Sequence, residues 1–265
     1  MKQFLGNPCW YELGTSDPDA AAAFYGELLH WQVSRAGMAD FDYHLARRGD
    51  CMVAGVMSLD AQPAGVPPNW LIYFATDDIE HLVAEVTAAG GAIHHPPADI
   101  PGTGRFAIAA DPQGAVFGLL QPDMSAMSLG EIARAEKTGA FDQDKAGHGN
   151  WNELMTPDPE AGLAFYARLF GWDKGAAMDM GEMGRYQLIR RNGRDIGAIM
   201  AQGDAPVPCW MPYFGVDDPM TETVERVRQT GGHVHHGPVE VPGPAWIAII
   251  QDPQGAWLGL VSGEK

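Results

Sequence analysis

The chain has 265 residues, 46% of them hydrophobic and 19% charged, and its formal net charge is −17. This length and composition are typical of a globular protein with one large or two ordinary domains, not of a disordered chain. Binding to a nucleic-acid backbone or to anionic lipid needs clustered Lys and Arg, so neither nucleic acid nor a membrane is an expected partner.

Three cysteines are too few for a disulfide framework, and none belongs to a Cys-x-x-Cys pair. Cys9 and Cys209 both precede a Trp, and we expect small buried thiols in a reducing compartment. The first residues lack the apolar core of a signal peptide, and no apolar run is long enough to span a membrane. We therefore expect a cytoplasmic protein.

The first predicted module opens with a strand over residues 9–13. Ser16 or Asp17 then caps a helix that has Pro18 in its first turn. Apolar residues every fourth position predict the buried stripe of that helix. The stripe consists of Ala20, Phe24 and Leu28. Three more strands, expected over residues 31–33, 41–46 and 52–57, complete a β-α-β-β-β module.

A Pro-rich connector over residues 63–68 leads to a second module of the same kind. Its apolar first strand begins at Trp70, and Asp77 or Asp78 caps a helix that ends at two consecutive glycines. Short strands are then expected over residues 92–94, 106–109 and 115–120.

The sequence repeats itself at two levels. Four apolar strands begin with a Trp that precedes an Asp by seven positions, and the whole second half repeats the first at an offset of 141 residues. The Trp/Asp pairs are Trp10/Asp17, Trp70/Asp77, Trp151/Asp158 and Trp210/Asp217. We therefore predict an α+β fold of four β-α-β-β-β modules paired into two domains. The predicted boundaries are 1–122 (modules 1–58 and 68–122), a linker over 123–147, and 148–265 (modules 148–201 and 208–262).

Side chains alternate along a strand, so residues two positions apart share a face. Trp10 and Trp151 therefore share a strand face with Glu12 and Glu153. We expect these faces to line a cup in each domain. The other residues predicted to line the cups are Trp70, Ile72, Phe74, His44, Trp210, Phe214 and Trp257.

Several repeated motifs resemble those of the vicinal oxygen chelate superfamily, which includes glyoxalase I, extradiol dioxygenases and bleomycin-resistance proteins. The shared features are a first strand ending in Asp, a helix carrying Phe-Tyr, a Leu-x-x-Trp exit and a closing Asp-Pro-x-Gly turn. Phe24-Tyr25 returns as Phe165-Tyr166, and the turn at Asp111 returns at Asp252. The resemblance covers nearly the whole chain outside the linker, and it is closest to the tandem two-domain branch.

The resemblance implies where metal ligands would stand. The metal enzymes of the superfamily take a His or Gln from the first strand of a module, where this chain has its four Trp residues. They take a Glu from the last strand, where this chain has Gly118 and Gly259. Indole has no lone pair for coordination and glycine has no side chain. We therefore expect no metal and no other cofactor.

The Glu residues are the candidate catalytic groups. A carboxyl on an apolar face is costly to bury, and burial would raise its pKa toward the range of a general acid or base. Alternatively, Glu12 and Glu153 bind backbone amides or an Arg such as Arg105. The pairs His94-His95 and His233/His235 lie near Pro-rich segments; they are expected to be surface residues, with a metal site as the alternative.

Three functional hypotheses follow. The first is a metal-free protein that binds a small organic, flat or aromatic ligand in Trp-lined cups. The second, implied by the resemblance, is a lyase, isomerase or hydroxylase-type enzyme that uses Glu12 or Glu153 as acid or base. The third is an interaction scaffold whose cups are filled by the Trp side chains. Internal duplication favours a monomer, and a homodimer stays open.

Overall fold

A computed structural model of the chain describes residues 4–37, 42–125 and 139–265. The predicted strand start at Phe41 and a weakly helical stretch at 129–135 within the linker lie outside the described residues. The described part contains sixteen β-strands and four α-helices, arranged as four β-α-β-β-β modules. The predicted α+β class is confirmed.

The first half contributes eight strands and two helices. Its elements are β1 (Pro8–Thr15), α1 (Pro18–Leu29), β2 (Gln32–Arg35), β3 (Tyr43–Arg48), β4 (Cys51–Ser58), β5 (Asn69–Ala75), α2 (Ile79–Ala88), β6 (Ala92–Ile100), β7 (Gly104–Ala110) and β8 (Val116–Pro122). They form one sheet in the order β2-β3-β4-β1-β5-β8-β7-β6.

The second half repeats this arrangement. Its elements are β9 (Gly149–Thr156), α3 (Pro159–Phe170), β10 (Asp173–Asp179), β11 (Arg185–Arg191), β12 (Arg194–Ala201), β13 (Cys209–Gly215), α4 (Met220–Gln229), β14 (His233–Val241), β15 (Ala245–Gln251) and β16 (Trp257–Ser262). The second sheet has the order β10-β11-β12-β9-β13-β16-β15-β14. The two halves of the sequence therefore have the same topology.

Three of the four described helices start at an Asp that caps them, whereas α4 follows Pro219 and has no side-chain cap. The side chain of Asp17 accepts a hydrogen bond from the backbone nitrogen of Ala20, and Pro18 occupies the first turn of α1. Asp158 caps α3 in the same way, while α2 is capped by Asp78 rather than Asp77. Each cap satisfies amide donors that a helix N-terminus leaves unpaired.

The described chain divides into two compact units, each with elements from both halves of the sequence. Unit I consists of Met1–Cys9, Ile72–Glu136 and Trp151–Met211. Unit II consists of Trp10–Leu71, Lys137–Asn150 and Pro212–Lys265. The domain boundaries at 122 and 148, which follow the sequence repeat, stay a prediction.

The core of unit II is aromatic. The ring of Tyr25 on α1 stacks against Trp31 at 5.6 Å, and the ring of Trp70 lies 5.0 Å from that of Phe214. Tyr25 accepts a hydrogen bond from Trp70 Nε1 (3.2 Å) and donates one to Asp252 Oδ2 (2.8 Å). All these residues are buried, so the hydrogen bonds satisfy polar atoms that water does not reach.

Unit I has a matching core. Tyr166 on α3 accepts a hydrogen bond from Trp210 Nε1 (2.9 Å) and donates one to Asp111 Oδ2 (3.0 Å). Phe74 and Trp172 pack against the indole of Trp210 at 5.3 and 6.0 Å. We call the two buried series Trp70–Tyr25–Asp252 and Trp210–Tyr166–Asp111 the core chains.

Among the residues that the structure describes, no helix has the length and apolar character needed to cross a membrane.

Candidate functional site

A second kind of Trp–Tyr–carboxylate series lies on an open strand face of unit II. Trp10 Nε1 on β1 donates a hydrogen bond to the hydroxyl of Tyr43 on β3 at 3.0 Å. That hydroxyl donates to Glu12 Oε2, also at 3.0 Å. Trp10, Tyr43 and Glu12 are each half-buried, so solvent reaches part of all three side chains. We call this series the first triad.

A glycine on the neighbouring strand makes room for the first triad. Gly55 on β4 is the register partner of Glu12. The ring and hydroxyl of Tyr43 occupy the space that a side chain at residue 55 would fill. The close approach of Tyr43 to the β4 backbone therefore uses the glycine at residue 55, whereas the corresponding register partner of Glu153 in unit I is Ala198.

Unit I contains the same arrangement, which we call the second triad. Trp151 Nε1 donates to the hydroxyl of Tyr186 at 2.9 Å, and this hydroxyl donates to Glu153 Oε2 at 2.7 Å. The side chain of Glu153 is only 5% exposed. A short hydrogen bond to a carboxylate in a site of low exposure is the charge-assisted kind, about twice as strong as one between neutral groups.

The electrostatics of both triads keep the phenol protonated. Burial, followed by the charge of Glu12, raises the pKa of Tyr43 well above its usual value, while the hydrogen bond from Trp10 opposes this shift. Burial and Glu153 act in the same way on the pKa of Tyr186. Each hydroxyl is therefore a fixed donor to its carboxylate, and each triad combines an indole face with an acidic group.

Trp10, Glu12, Trp151 and Glu153 come together as their predicted strand faces require. Sequence reasoning missed Tyr43 and Tyr186, which connect the Trp to the Glu in each triad. A signal was available, because both are the only Tyr in the third strand of their module and occupy matching places in β3 and β11.

For the second and fourth modules the predicted strand face was wrong. Trp70, Ile72 and Phe74 are buried on the side that faces the core, as the hydrogen bond from Trp70 to Tyr25 of α1 shows. Trp210 likewise binds Tyr166 of α3, and the ring of Phe214 lies 5.3 Å from that of Trp31. The prediction that these residues line the cups was therefore wrong, because their side chains lie on the face that packs against the core. The five residues are Trp70, Ile72, Phe74, Trp210 and Phe214.

The error is a shift of one residue. The Asp that caps α2 is Asp78, so the position seven residues before it is Leu71 and not Trp70. Because side chains alternate, a shift of one residue moves every side chain to the opposite face. The other face of these strands carries Tyr73, which lies over Gly118, and Tyr213, which lies over Gly259.

The predicted position of His44 was also wrong. His44 is the register partner of Val56, whereas its neighbour Tyr43 faces the first triad, so the two point to opposite sides of β3. The His44 ring lies 3.2 Å from Asp42 Oδ1 and is buried. Its counterpart Gln187 donates to the backbone carbonyls of Gly175, Ala176 and Leu188.

Trp257 and Arg105 lie apart from the triads. Trp257 is 44% exposed and stacks against His235. The alternative in which Arg105 pairs with a cup Glu is not observed, because its guanidinium binds Asp99 and Glu80 instead.

The positions at which related enzymes hold a metal do not fit one here. Trp10 and Trp151 offer no lone pair in the ring plane, Leu71 offers no donor, and Tyr73 and Tyr213 cover the glycines of the last strands. Within residues 4–37, 42–125 and 139–265, no three His, Cys, Asp or Glu side chains converge as metal ligands.

Two open cavities lie outside the triads. One of about 420 Å³ in unit I is lined by residues 177–179, Gly184 and Arg185. Met178 in this lining is the register partner of Tyr186, but no residue of the second triad lines the cavity. The other, about 520 Å³ in unit II, lies beside Lys145, Asp217 and Ser262, and no residue of the first triad lines it.

Two eight-stranded sheets built from four repeated modules define a tandem β-α-β-β-β protein. The family model of the Glyoxalase/Bleomycin resistance protein/Dioxygenase superfamily matches residues 9–119 and 147–260. The chain belongs to this superfamily, as the repeated motifs predicted.

Relatives with similar sequences span almost the whole chain. CFP32 of Mycobacterium tuberculosis, provisionally named as a glyoxylase, is 31% identical over 97% of this chain and 94% of its own length. The anthracycline biosynthesis protein DnrV of Streptomyces peucetius is also 31% identical, over 97% of this chain and 93% of its own length.

Solved structures agree with the fold. A Mn(II)-bound glyoxalase from Novosphingobium aromaticivorans has a TM-score of 0.65 at 17% identity and covers 98% of this chain and 83% of its own. The 2,2',3-trihydroxybiphenyl 1,2-dioxygenase of Sphingomonas wittichii has a TM-score of 0.68 at 12% identity, covering 98% of this chain and 91% of its own. At these identities the likeness establishes the fold alone.

Proposed function

We propose that the protein binds a small, flat organic ligand at its Trp–Tyr–Glu triads, without a metal ion at the superfamily's ligand positions. The observation that carries this proposal is the triad itself, which recurs with the same hydrogen bonds in both halves. Burying polar side chains on a strand face costs free energy unless each polar atom has a hydrogen-bond partner. The presence of the same satisfied series in both halves therefore points to a role for it.

The chemistry of the triad selects the ligand's features. An indole face stacks on flat unsaturated groups and attracts cations, and a carboxylate accepts hydrogen bonds or pairs with a positive charge. Burial, followed by the charge of Glu153, raises the pKa of the nearby Cys209 thiol to about 11. We therefore expect a ligand with an aromatic body and a hydrogen-bond donor or amine at one end.

Two further observations support the proposal. An open cavity of about 420 Å³ beside β11, the strand that carries Tyr186, is within the size range of small-molecule sites, about 300–1,000 Å³. DnrV, which is similar over nearly its whole length, is named for anthracycline biosynthesis, and anthracyclines are flat aromatic molecules. The cytoplasmic location stays part of this proposal, supported by the free thiols of Cys9, Cys51 and Cys209.

Binding to a panel of aromatic amines, phenols and polycyclic compounds tests the proposal. Titration calorimetry in the presence of EDTA measures affinity and stoichiometry, and native mass spectrometry of the purified protein identifies a ligand that co-purifies. We expect at least one class of compound to bind with up to two molecules per chain. The double variant Trp10→Ala/Trp151→Ala should weaken that binding by at least about tenfold, the loss expected for an aromatic contact of 1.4 kcal/mol.

A matched control separates binding from folding. Tyr25→Phe removes a hydroxyl from a core chain and should leave ligand affinity unchanged at a temperature where the variant is folded. Affinity that survives loss of both Trp10 and Trp151, affinity that disappears with EDTA, or no binding across the panel contradicts the proposal.

An enzyme is the second candidate, favoured by the buried Glu153 carboxylate and its 2.7 Å hydrogen bond to Tyr186. Such a group could move a proton at a carbon next to a carbonyl. Turnover of α-ketoaldehyde–thiol adducts or exchange of solvent deuterium into bound ketones, lost in Glu153→Gln, supports this candidate. Binding without turnover or exchange favours the binding protein. If the chain shows neither binding nor turnover, the scaffold is favoured.

A further inference from the structure

A separate group of side chains lies on the outer strands of unit II. His233 and His235 on β14 have ring centroids 4.4 Å apart, with their planes at 65°. His235 Nε2 lies 3.3 Å from Oε1 of Gln251 on β15. The His235 ring also stacks on Trp257 of β16, with ring centroids 3.9 Å apart. We call His233, His235 and Gln251 the histidine cluster.

The backbone explains why these side chains meet. His233 is the register partner of Gln251, which in turn is the partner of Trp257, so the three strands place one row of side chains on one face. A register shift between Val234 and His236 marks a β-bulge at His235. Bulges re-aim side chains, and this one lies where His235 turns toward Gln251 and Trp257.

We propose that the histidine cluster binds one divalent transition-metal ion that prefers imidazole, with Cu²⁺ the strongest binder. Two imidazoles that coordinate one ion at about 2.0 Å with a right angle between them have ring centroids about 4.5 Å apart. The observed 4.4 Å is close to this value, so the two rings lie near enough for one ion to bind a nitrogen of each. Cu²⁺ also leads the order of affinities for nitrogen ligands.

Gln251 is the third ligand of the proposed site, and a hydrogen bond fixes the orientation of its side-chain amide. Its Nε2 donates to the backbone carbonyl of Gly255 at 2.9 Å, which directs Oε1 toward His235. Neighbouring ligands of one ion stand about 3 Å apart, close to the 3.3 Å between Oε1 and His235 Nε2. Both imidazoles are exposed, and the chain's net charge of −17 attracts cations to its surface.

The first half of the chain lacks this cluster and so supplies an internal control. At the offset of 141 residues, His233 corresponds to Ala92, Gln251 to Ala110 and Trp257 to Val116, while His235 alone keeps a counterpart in His94. A single imidazole does not chelate. The cluster is also distinct from the superfamily's ligand positions on β13 and β16.

Titration of the tag-free chain with CuCl₂ in a non-coordinating buffer at neutral pH tests the proposal. We expect saturation at one ion per chain, nitrogen ligands in the electron paramagnetic resonance spectrum, and quenching of Trp257 fluorescence by the adjacent ion. His233→Ala and His235→Ala should each weaken binding by at least about tenfold, because the chelate loses one of its two imidazole ligands. Trp257→Phe should keep the affinity and lose most of the quenching.

His94→Ala and His236→Ala are the matched controls, since each removes a histidine outside the cluster. Both should bind Cu²⁺ like the parent chain. The proposal is overturned by the absence of a saturable site, by an affinity that His233→Ala and His235→Ala leave unchanged, or by equal losses in the two control variants.

Discussion

The core chains and the triads use the same three kinds of group in the same order, in two environments. In both, an indole N–H donates to a Tyr hydroxyl, and the hydroxyl donates to a carboxylate. In the core chains every member is nearly or fully buried, whereas the Trp and Tyr of both triads are half-buried. Glu12 is half-buried as well, and only Glu153 is as buried as a core-chain residue. The comparison teaches that environment, rather than residue type, separates a structural series from a candidate site.

The carboxylates differ in a second respect. Asp252 Oδ1 accepts hydrogen bonds from three backbone amides of its own turn, so its side chain fixes the turn and the Tyr together. Glu12 and Glu153 lie in mid-strand, where the strand ladder already satisfies the backbone. The Asp252 carboxylate is therefore committed to the fold through both of its oxygens.

The largest effect is expected from removing a core-chain carboxylate. Asp252→Ala deletes the acceptor of Tyr25 and of three backbone amides, and should lower the free energy of unfolding by about 3–5 kcal/mol. Urea denaturation measures this change. Glu27→Ala, an exposed site on α1, is the control, and an equal loss in both variants would refute the role assigned to Asp252.

A smaller effect sharpens the comparison between the two Tyr residues. Tyr25→Phe leaves the buried Trp70 Nε1 and Asp252 Oδ2 without their partner and should cost about 1–3 kcal/mol of unfolding free energy. Tyr43→Phe should cost less than about 1 kcal/mol, because water can reach Trp10 and Glu12. Equal costs in urea denaturation would show that the first triad is as structural as a core chain.

Alkaline pH probes all four Tyr residues at once. Burial, together with the adjacent carboxylate, raises the pKa values of Tyr25, Tyr43, Tyr166 and Tyr186 in the folded state. A raised folded pKa contributes stability that is complete below the unfolded value of about 10 and is lost as pH rises above it. Absorbance at 295 nm should therefore show these four Tyr ionising only with unfolding. Their reversible ionisation near pH 10 in folded protein would contradict this.

The smallest stability effect is expected at the glycine beneath the first triad. Gly55→Ala places a methyl group where the ring of Tyr43 lies, so Tyr43 must move away from Glu12. The free energy of ligand binding at the first triad should fall more than the free energy of unfolding does. Calorimetry measures the first quantity and urea denaturation the second. Unchanged affinity would show that the position of Tyr43 does not matter for binding.

The repeat and its capping residues allowed the fold to be predicted, because helix caps and strand alternation are local properties of the sequence. The faces of the first and third modules were predicted correctly for the same reason. The face of β5 was not, since Asp77 and Asp78 are adjacent and both can cap a helix, yet only Asp78 accepts from the amide of His81. Taking Asp77 rather than Asp78 as the cap shifted the predicted strand by one residue and so assigned the wrong face to the core.

Other features depend on contacts between distant strands. Tyr43 reaches Glu12 only because β3 pairs with β4 and β4 with β1, a register that no local pattern specifies. The core chain of Tyr25 and Asp252 joins residues 227 positions apart. Long-range pairs of this kind become visible only when the modules are assembled.

The most direct test of this account is the double variant Glu12→Gln/Glu153→Gln, assayed for both ligand binding and unfolding. We expect at least about a tenfold loss of affinity for the best ligand, with a smaller loss in the free energy of unfolding than the about 3–5 kcal/mol expected for Asp252→Ala. Unchanged affinity together with a loss of stability like that of Asp252→Ala would contradict it, because the triads would then be part of the core.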